Sequence, residues 1–242
     1  MPTHQLHIAR TEGLSDINAI FKAVVEYQKT QFAACHNIVQ SSAATDTAVL
    51  LDIIAQVATA IKQLDMDDPA LPPLIKENYI SKAVPFSLQI TADRIETTGA
   101  GRKTLDMAVE FLMNDLGLSF LWNKIDLPVL DAIDKLRAFE GFRGARKSTV
   151  KDYCHNSYMT GRYDAQFLDA EHGDDFMQEY QAGVSVADVK MQIAGLPTSI
   201  RLTGESSFAY TVKPDADIET VKNICRMVSG WNSMPTDNTG DQ

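Results

Sequence analysis

The residues best suited to chemistry lie between Phe142 and Tyr163. Arg143, Arg146, Lys147, Lys151 and Arg162 fall there against the single acid Asp152, a local charge of +4. The whole chain carries −10, from 32 acidic and 22 basic side chains, so everything outside that stretch sums to −14. Phe139, Phe142, Tyr153, Tyr158, Tyr163 and Phe167 interleave with the cations. Cations that follow phosphates and rings that stack on bases are the two components of single-strand nucleic-acid binding. The same cations would also suit an acidic protein surface. A third reading is a Gly-punctuated loop and a short helix from Ser148, with the aromatics in the core and no site. Arg143, Arg146, Lys147, Lys151, Tyr153, Tyr158 and Arg162 are the candidate nucleic-acid or partner-binding residues.

A second candidate is the loop Gly99-Ala100-Gly101-Arg102-Lys103-Thr104, between an expected strand and an expected helix. Two glycines, two cations and the N–H groups of a helix start could cradle an anion. The loop resembles the end of a P-loop but departs from its spacing. Glu96 stands where the first glycine belongs, Arg102 where the lysine belongs and Lys103 where the Ser or Thr belongs. Gly99, Gly101, Arg102 and Lys103 are thus an anion-binding candidate without a nucleotide signature.

The other constellations fail on spacing. Cys35-His36 and Cys154-His155 offer thiolate and imidazole, but adjacent ligands chelate poorly and no zinc spacing is present. Either pair could supply a nucleophile and a base. Asp164, Asp169, Glu171, Asp174, Asp175 and Glu179 form an acidic run around His172 that lacks the Asp-x-Asp-x-Asp-Gly pattern of a calcium loop. No Gly-x-Ser-x-Gly elbow anchors a Ser–His–Asp triad. The expectation is no catalytic residue, no metal and no cofactor.

The elements that would position these residues follow from periodicity. Ser15 or Asp16 caps a helix with Ile17, Ile20, Phe21, Val24, Val25 and Phe32 at helical spacing. After a polar break at 41–46, Val49, Leu50, Ile53, Ile54, Val57, Ile61 and Leu64 predict a second helix with a wide apolar face, completing an αα-hairpin. Residues 65–73 hold three prolines and end it. Val84, Phe86, Leu88 and Ile90 alternate as a strand, and helices follow over 104–116 and from Pro128 to about 139. Val189, Met191 and Ile193, then Ile200 and Leu202, then Phe208, Tyr210 and Val212 predict an antiparallel meander, which a helix from Asp215 or Asp217 backs.

These elements predict an α+β fold in one domain over 1–233, with an N-terminal helical part over 14–158, a C-terminal β-meander plus helix over 184–230, and a flexible polar tail over 234–242. His4 and His7 are expected to be solvated near the terminus. The 45% apolar and 22% charged content suits a packed globular protein. An acidic excess disfavours phosphate-rich and anionic-lipid surfaces except at a local basic patch. Three scattered cysteines, no signal peptide and no bilayer-length apolar run fit a reducing, cytoplasmic compartment and no membrane partner. With motif after motif failing, the reading is a non-catalytic interaction or assembly protein that binds itself or another protein, its second helix forming the self-association surface. The absence of a familiar family pattern suits a lineage-specific or virus-encoded protein. The alternatives are a single-stranded nucleic-acid-binding protein using 142–163, and an enzyme with an unrecognised site.

Overall fold

The computed structural model describes residues 3–31, 35–45, 47–65, 74–100, 103–125, 128–156, 159–167, 172–173, 175–176, 184–203, 207–211 and 217–230. Antiparallel strand dominates them, in eleven strands against four short helices. In chain order these are β1 (Thr3–Glu12), α1 (Ile17–Gln28), β2 (His36–Thr45), β3 (Ala48–Asp65), β4 (Leu74–Thr91), β5 (Arg94–Gly99) and α2 (Thr104–Glu110). There follow β6 (Leu121–Lys124), α3 (Val129–Arg137), β7 (Phe142–Asn156), β8 (Met159–Gln166), β9 (Val184–Ile193), β10 (Leu196–Thr203), β11 (Ser207–Thr211) and α4 (Ile218–Val228). Among the described residues no helix is long and apolar enough to cross a membrane.

This overturns the expected α+β arrangement of a helical layer followed by a meander. The decisive segment is 48–65, a strand and not the second helix of an αα-hairpin. Its buried residues Val49, Leu51, Ile53 and Ala55 alternate with Leu50, Asp52 and Ile54, which are exposed or half-buried. The wide apolar face drawn on a helical wheel is thus a strand with apolar residues on both sides. The helix expected to carry self-association is therefore absent, and its residues belong to β3. The short helix expected from Ser148 is likewise part of β7. His7, expected to be solvated, is buried in β1.

The chain divides into two compact units, 11–121 and the remainder, 1–10 with 122–242. In the first unit β2, β3, β4 and β5 pair in that order, all antiparallel. Helix α1 packs against β2 and β3, burying Ile17, Ile20 and Val24. The Asp16 carboxylate caps it by accepting from the Ala19 N–H at 2.8 Å. Helix α2 packs on β5 and runs on into one π-helical turn, Phe111–Asp115, which buries Phe111 and Leu112. The long hairpin of β3 and β4 outruns its neighbours. Strand β2 pairs with β3 only as far as Ala55, and β5 with β4 only from Phe86 to Ile90. Among the described residues, from Val57↔Lys82 to Asp65↔Leu74 the two strands pair only with each other.

In the second unit β11 pairs with β1 and β10, β10 with β9, and β9 with β7, which carries β8. β9, β10 and β11 thus pair in chain order, while Val212, expected in the last of these strands, lies outside the described residues. Helix α3 packs on β7, β9, β10 and α4, over a core that includes Leu6, Ile133, Val189, Ile200, Phe208 and Tyr210. Burying a side chain of that size contributes about 1.5–3 kcal/mol. Asp217 caps α4 by accepting from the N–H groups of Glu219 and Thr220, at 3.0 and 3.1 Å.

Two backbone features of this unit generate tests. Ala194 and Gly195 form the two-residue loop joining β9 to β10, with φ of +48° and +78°. A tight hairpin of this hand demands left-handed residues, and alanine resists that conformation. Ala194→Gly is expected to raise stability by about 0.5–1 kcal/mol, measured by urea unfolding. Gly141 lies against the backbone of β9, where an added Cβ would fall 1.9 Å from the Gln192 carbonyl oxygen. Gly141→Ala is expected to destabilise the protein by more than about 2 kcal/mol in the same assay, because backbone cannot step aside as a side chain does.

Candidate functional site

β7 carries most of the basic residues singled out in the sequence, and its pairing decides where they point. Along a regular strand Arg143 and Arg146 would face opposite sides, three residues apart. The ladder with β9 instead steps from Phe142↔Met191 to Ala145↔Val189 and then to Lys147↔Asp188. At each step β7 uses one residue more than β9, and such bulges re-aim side chains. Arg143 and Arg146 consequently line one cavity of about 510 Å3, with Lys190 and Gln192 from β9, Ser199 from β10 and Thr211 from β11 among the other walls. Among the described residues no acidic side chain lines it.

The Arg143 guanidinium is held by neutral acceptors. Its Nη1 donates to the Glu140 and Phe142 carbonyl oxygens, both at 3.1 Å, and its Nη2 to Gln192 Oε1 at 2.9 Å. Lys190 makes no hydrogen bond or ion pair among the described residues. The neighbouring carboxylate on β9, Asp188, is engaged by Arg201, at 2.6 Å from Nε and 2.8 Å from Nη2. That bond holds the Arg201 pKa above its ordinary value against the opposing effect of burial.

The remaining residues of the stretch do not join this cavity's lining. Lys147 is exposed, between Asp188 on β9 and Gln166 on β8. Arg162 pairs with Asp164 at 3.0 Å, and Asp164 also accepts from the Thr149 hydroxyl at 2.6 Å. Those contacts, Thr149 first and then Arg162, hold the Asp164 carboxyl below its ordinary range. Lys151 and Tyr153 belong to β7 by backbone, but their side chains, and Tyr158 altogether, lie outside the described residues. Phe139, Phe142 and Phe167 pack against the core.

At the Gly99–Thr104 loop the geometry favours packing. Gly99 ends β5, opposite Phe86, where a Cβ would come within 2.9 Å of the Phe86 Cβ. The Thr104 hydroxyl is buried against that of Thr97 at 3.0 Å. Lys103 is exposed ahead of α2, which is only seven residues long, and Gly101 and Arg102 lie outside the described residues. Cys225 is buried in the core. No group of three or more metal-ligating side chains occurs among the described residues.

Sequence reasoning missed a polar cluster in the first unit. His36 Nδ1–H donates to Asp115 Oδ2 at 2.7 Å, and the Tyr27 hydroxyl donates to the His36 carbonyl oxygen at 2.7 Å and to Asp115 Oδ2 at 3.3 Å. Phe111 packs against both the Tyr27 and His36 rings. Burial first, then the Asp115 charge and hydrogen bond, push the Tyr27 pKa well above its ordinary value. A histidine oriented by a carboxylate is half of a nucleophilic pair. Here the other ring nitrogen has no hydrogen-bond partner among the described residues, and the side chain is only 6% exposed. The cluster fastens β2 and α1 to the π-helical turn. Partners 79 and 88 residues apart leave no local signal to read.

The chain matches no protein-family model and no curated protein.

Fastening by this cluster is open to measurement. Asp115→Ala leaves the buried His36 donor without its acceptor, and is expected to lower stability by about 1–3 kcal/mol. Tyr27→Phe is expected to cost about 1 kcal/mol. Urea titrations followed by circular dichroism would report both, and unchanged midpoints would show that the cluster holds nothing.

Proposed function

We propose that the protein is a non-catalytic assembly protein that associates with further copies of itself through the outer part of the β3–β4 hairpin. The observation that carries this reading is the exposure of the described part of that arm, 58–60 and 79–82. Beyond Gln56 and Ala83 the arm is a two-stranded ribbon of nine cross-strand pairs, spanning roughly 30 Å at the usual rise of a strand. Ala58, Thr59 and Ala60 are all exposed, as are Tyr79 to Lys82 across from them. Since neighbours along a strand point to opposite faces, both faces of this part of the ribbon are open. Tyr79 is 69% and Ile80 49% exposed, and they sit opposite Ala60 and Thr59.

A two-stranded hairpin alone is marginally stable in water, and long exposed apolar strands invite pairing. An arm of this length gains stability when another chain covers it. Homo-oligomers are the commonest soluble assemblies, which favours a second copy as that chain.

The register supplies a clean test. Gln56 and Ala83 face each other, so an Asn-Gly turn can join them directly and remove everything between. By light scattering at tens of micromolar, the full chain is expected to run as an oligomer and the shortened one as a monomer with its β-sheet circular dichroism retained. A full-length monomer under those conditions would overturn the reading.

A further inference from the structure

We propose that the cavity over β7, β9, β10 and β11 is a binding site for a small ligand that presents an oxyanion, phosphate or carboxylate. The inference is independent of the arm, which belongs to the other unit.

Three positive side chains, Arg143, Arg146 and Lys190, share a space of about 510 Å3 that no acidic side chain among the described residues lines. Cavities of roughly 300–1,000 Å3 are the size of small-molecule sites. Like charges gathered there repel one another, and an anion relieves that repulsion while gaining charge-assisted hydrogen bonds. The Arg143 guanidinium is oriented by two carbonyls and an amide oxygen. These fix its direction without neutralising it, which is the preorganisation a site requires.

The register adds neutral donors beside the charges. Lys190 lies opposite Ser199 on β10, and Ser199 lies opposite Thr211 on β11. Residues directly opposite share a sheet face, so an ammonium and two hydroxyls form one row across three strands, at steps of about 4.8 Å. The next row holds Asp188 and Arg201, which satisfy each other. Within these two rows the anion-seeking groups lie in the cavity, and the carboxylate outside it is already engaged. A single pocket of this size suits a compact anion and not a tracked nucleic-acid strand.

The test is calorimetric titration of the full chain with pyrophosphate and, separately, with citrate, at about 0.1 M sodium chloride to screen diffuse attraction. Saturable binding of at least one is expected. Pyrophosphate binding alone would identify a phosphate ligand and citrate binding alone a carboxylate ligand. Lys190→Gln and Arg143→Gln are each expected to weaken binding at least about tenfold. Both side chains are exposed, so the fold is expected to survive, as circular dichroism would verify. Lys147→Gln, exposed on β7 outside the lining, is expected to leave affinity unchanged, as is the arm deletion. Absence of saturable heat with either anion would overturn the proposal. So would an equal loss in Lys147→Gln, which would mark general attraction by a basic face.

Discussion

An antiparallel ladder must satisfy backbone N–H and C=O groups on two strands at once, and between β7 and β9 it does so with unequal numbers of residues. Much of the second unit follows from how that inequality is absorbed. Gly141 presses against β9, donating no side chain to the contact while its carbonyl accepts from the Gln192 N–H at 2.7 Å. The surplus residues bulge, and the bulges turn Arg143 and Arg146 toward one side while Ala145 stays in the core. A regular strand of the same sequence would divide these cations between solvent and the apolar layer under α3. The cost of burying an unpaired guanidinium there makes the irregular pairing the favourable one.

Legibility in the sequence tracked the strength of local constraint. α1, α3, the meander and α4 were readable because one face of each is apolar at a single unambiguous period, with Asp16 and Asp217 as caps. The segment from Val49 to Leu64 satisfied two periods together. Leu50 and Ile54 filled the gaps between the buried alternates and completed a helical stripe. The content of Val, Ile and Thr in that segment, β-branched residues that sit poorly in helices, was the signal to weigh against it. β2 is mostly small polar residues and alanine, and it is a strand because β3 offers it a ladder, which is tertiary information. β7 was unreadable for a different reason: its bulges erase the alternation that betrays a strand.

The candidate cavity was half legible. A local excess of cations drew attention to Arg143 and Arg146, while Lys190, Ser199 and Thr211 arrive from strands forty or more residues away and read in the sequence as wet positions of a meander. The aromatic half of the pattern had another use, since Phe139, Phe142 and Phe167 pack against the core. The His36, Tyr27 and Asp115 cluster shows the general difficulty. Charged and polar contacts need only a few atoms in place, so they impose no period on the chain that brings them together.

The pairing of β1 with β11 has a consequence for the order in which the protein is made. Thr3 pairs with Thr211 and His7 with Ser207, so this side of β1 waits for residues beyond 200. The intervening unit, 11–121, is continuous in sequence and holds its own four-stranded ladder. It is able to fold while synthesis continues, as domains generally do. The other unit cannot close its sheet until residues beyond 200 have emerged. During that interval β1, with Leu6 and Ile8 fully buried in the finished protein, lacks its β11 partner. Vectorial synthesis thus divides the chain into an early-folding insert and a late-closing frame.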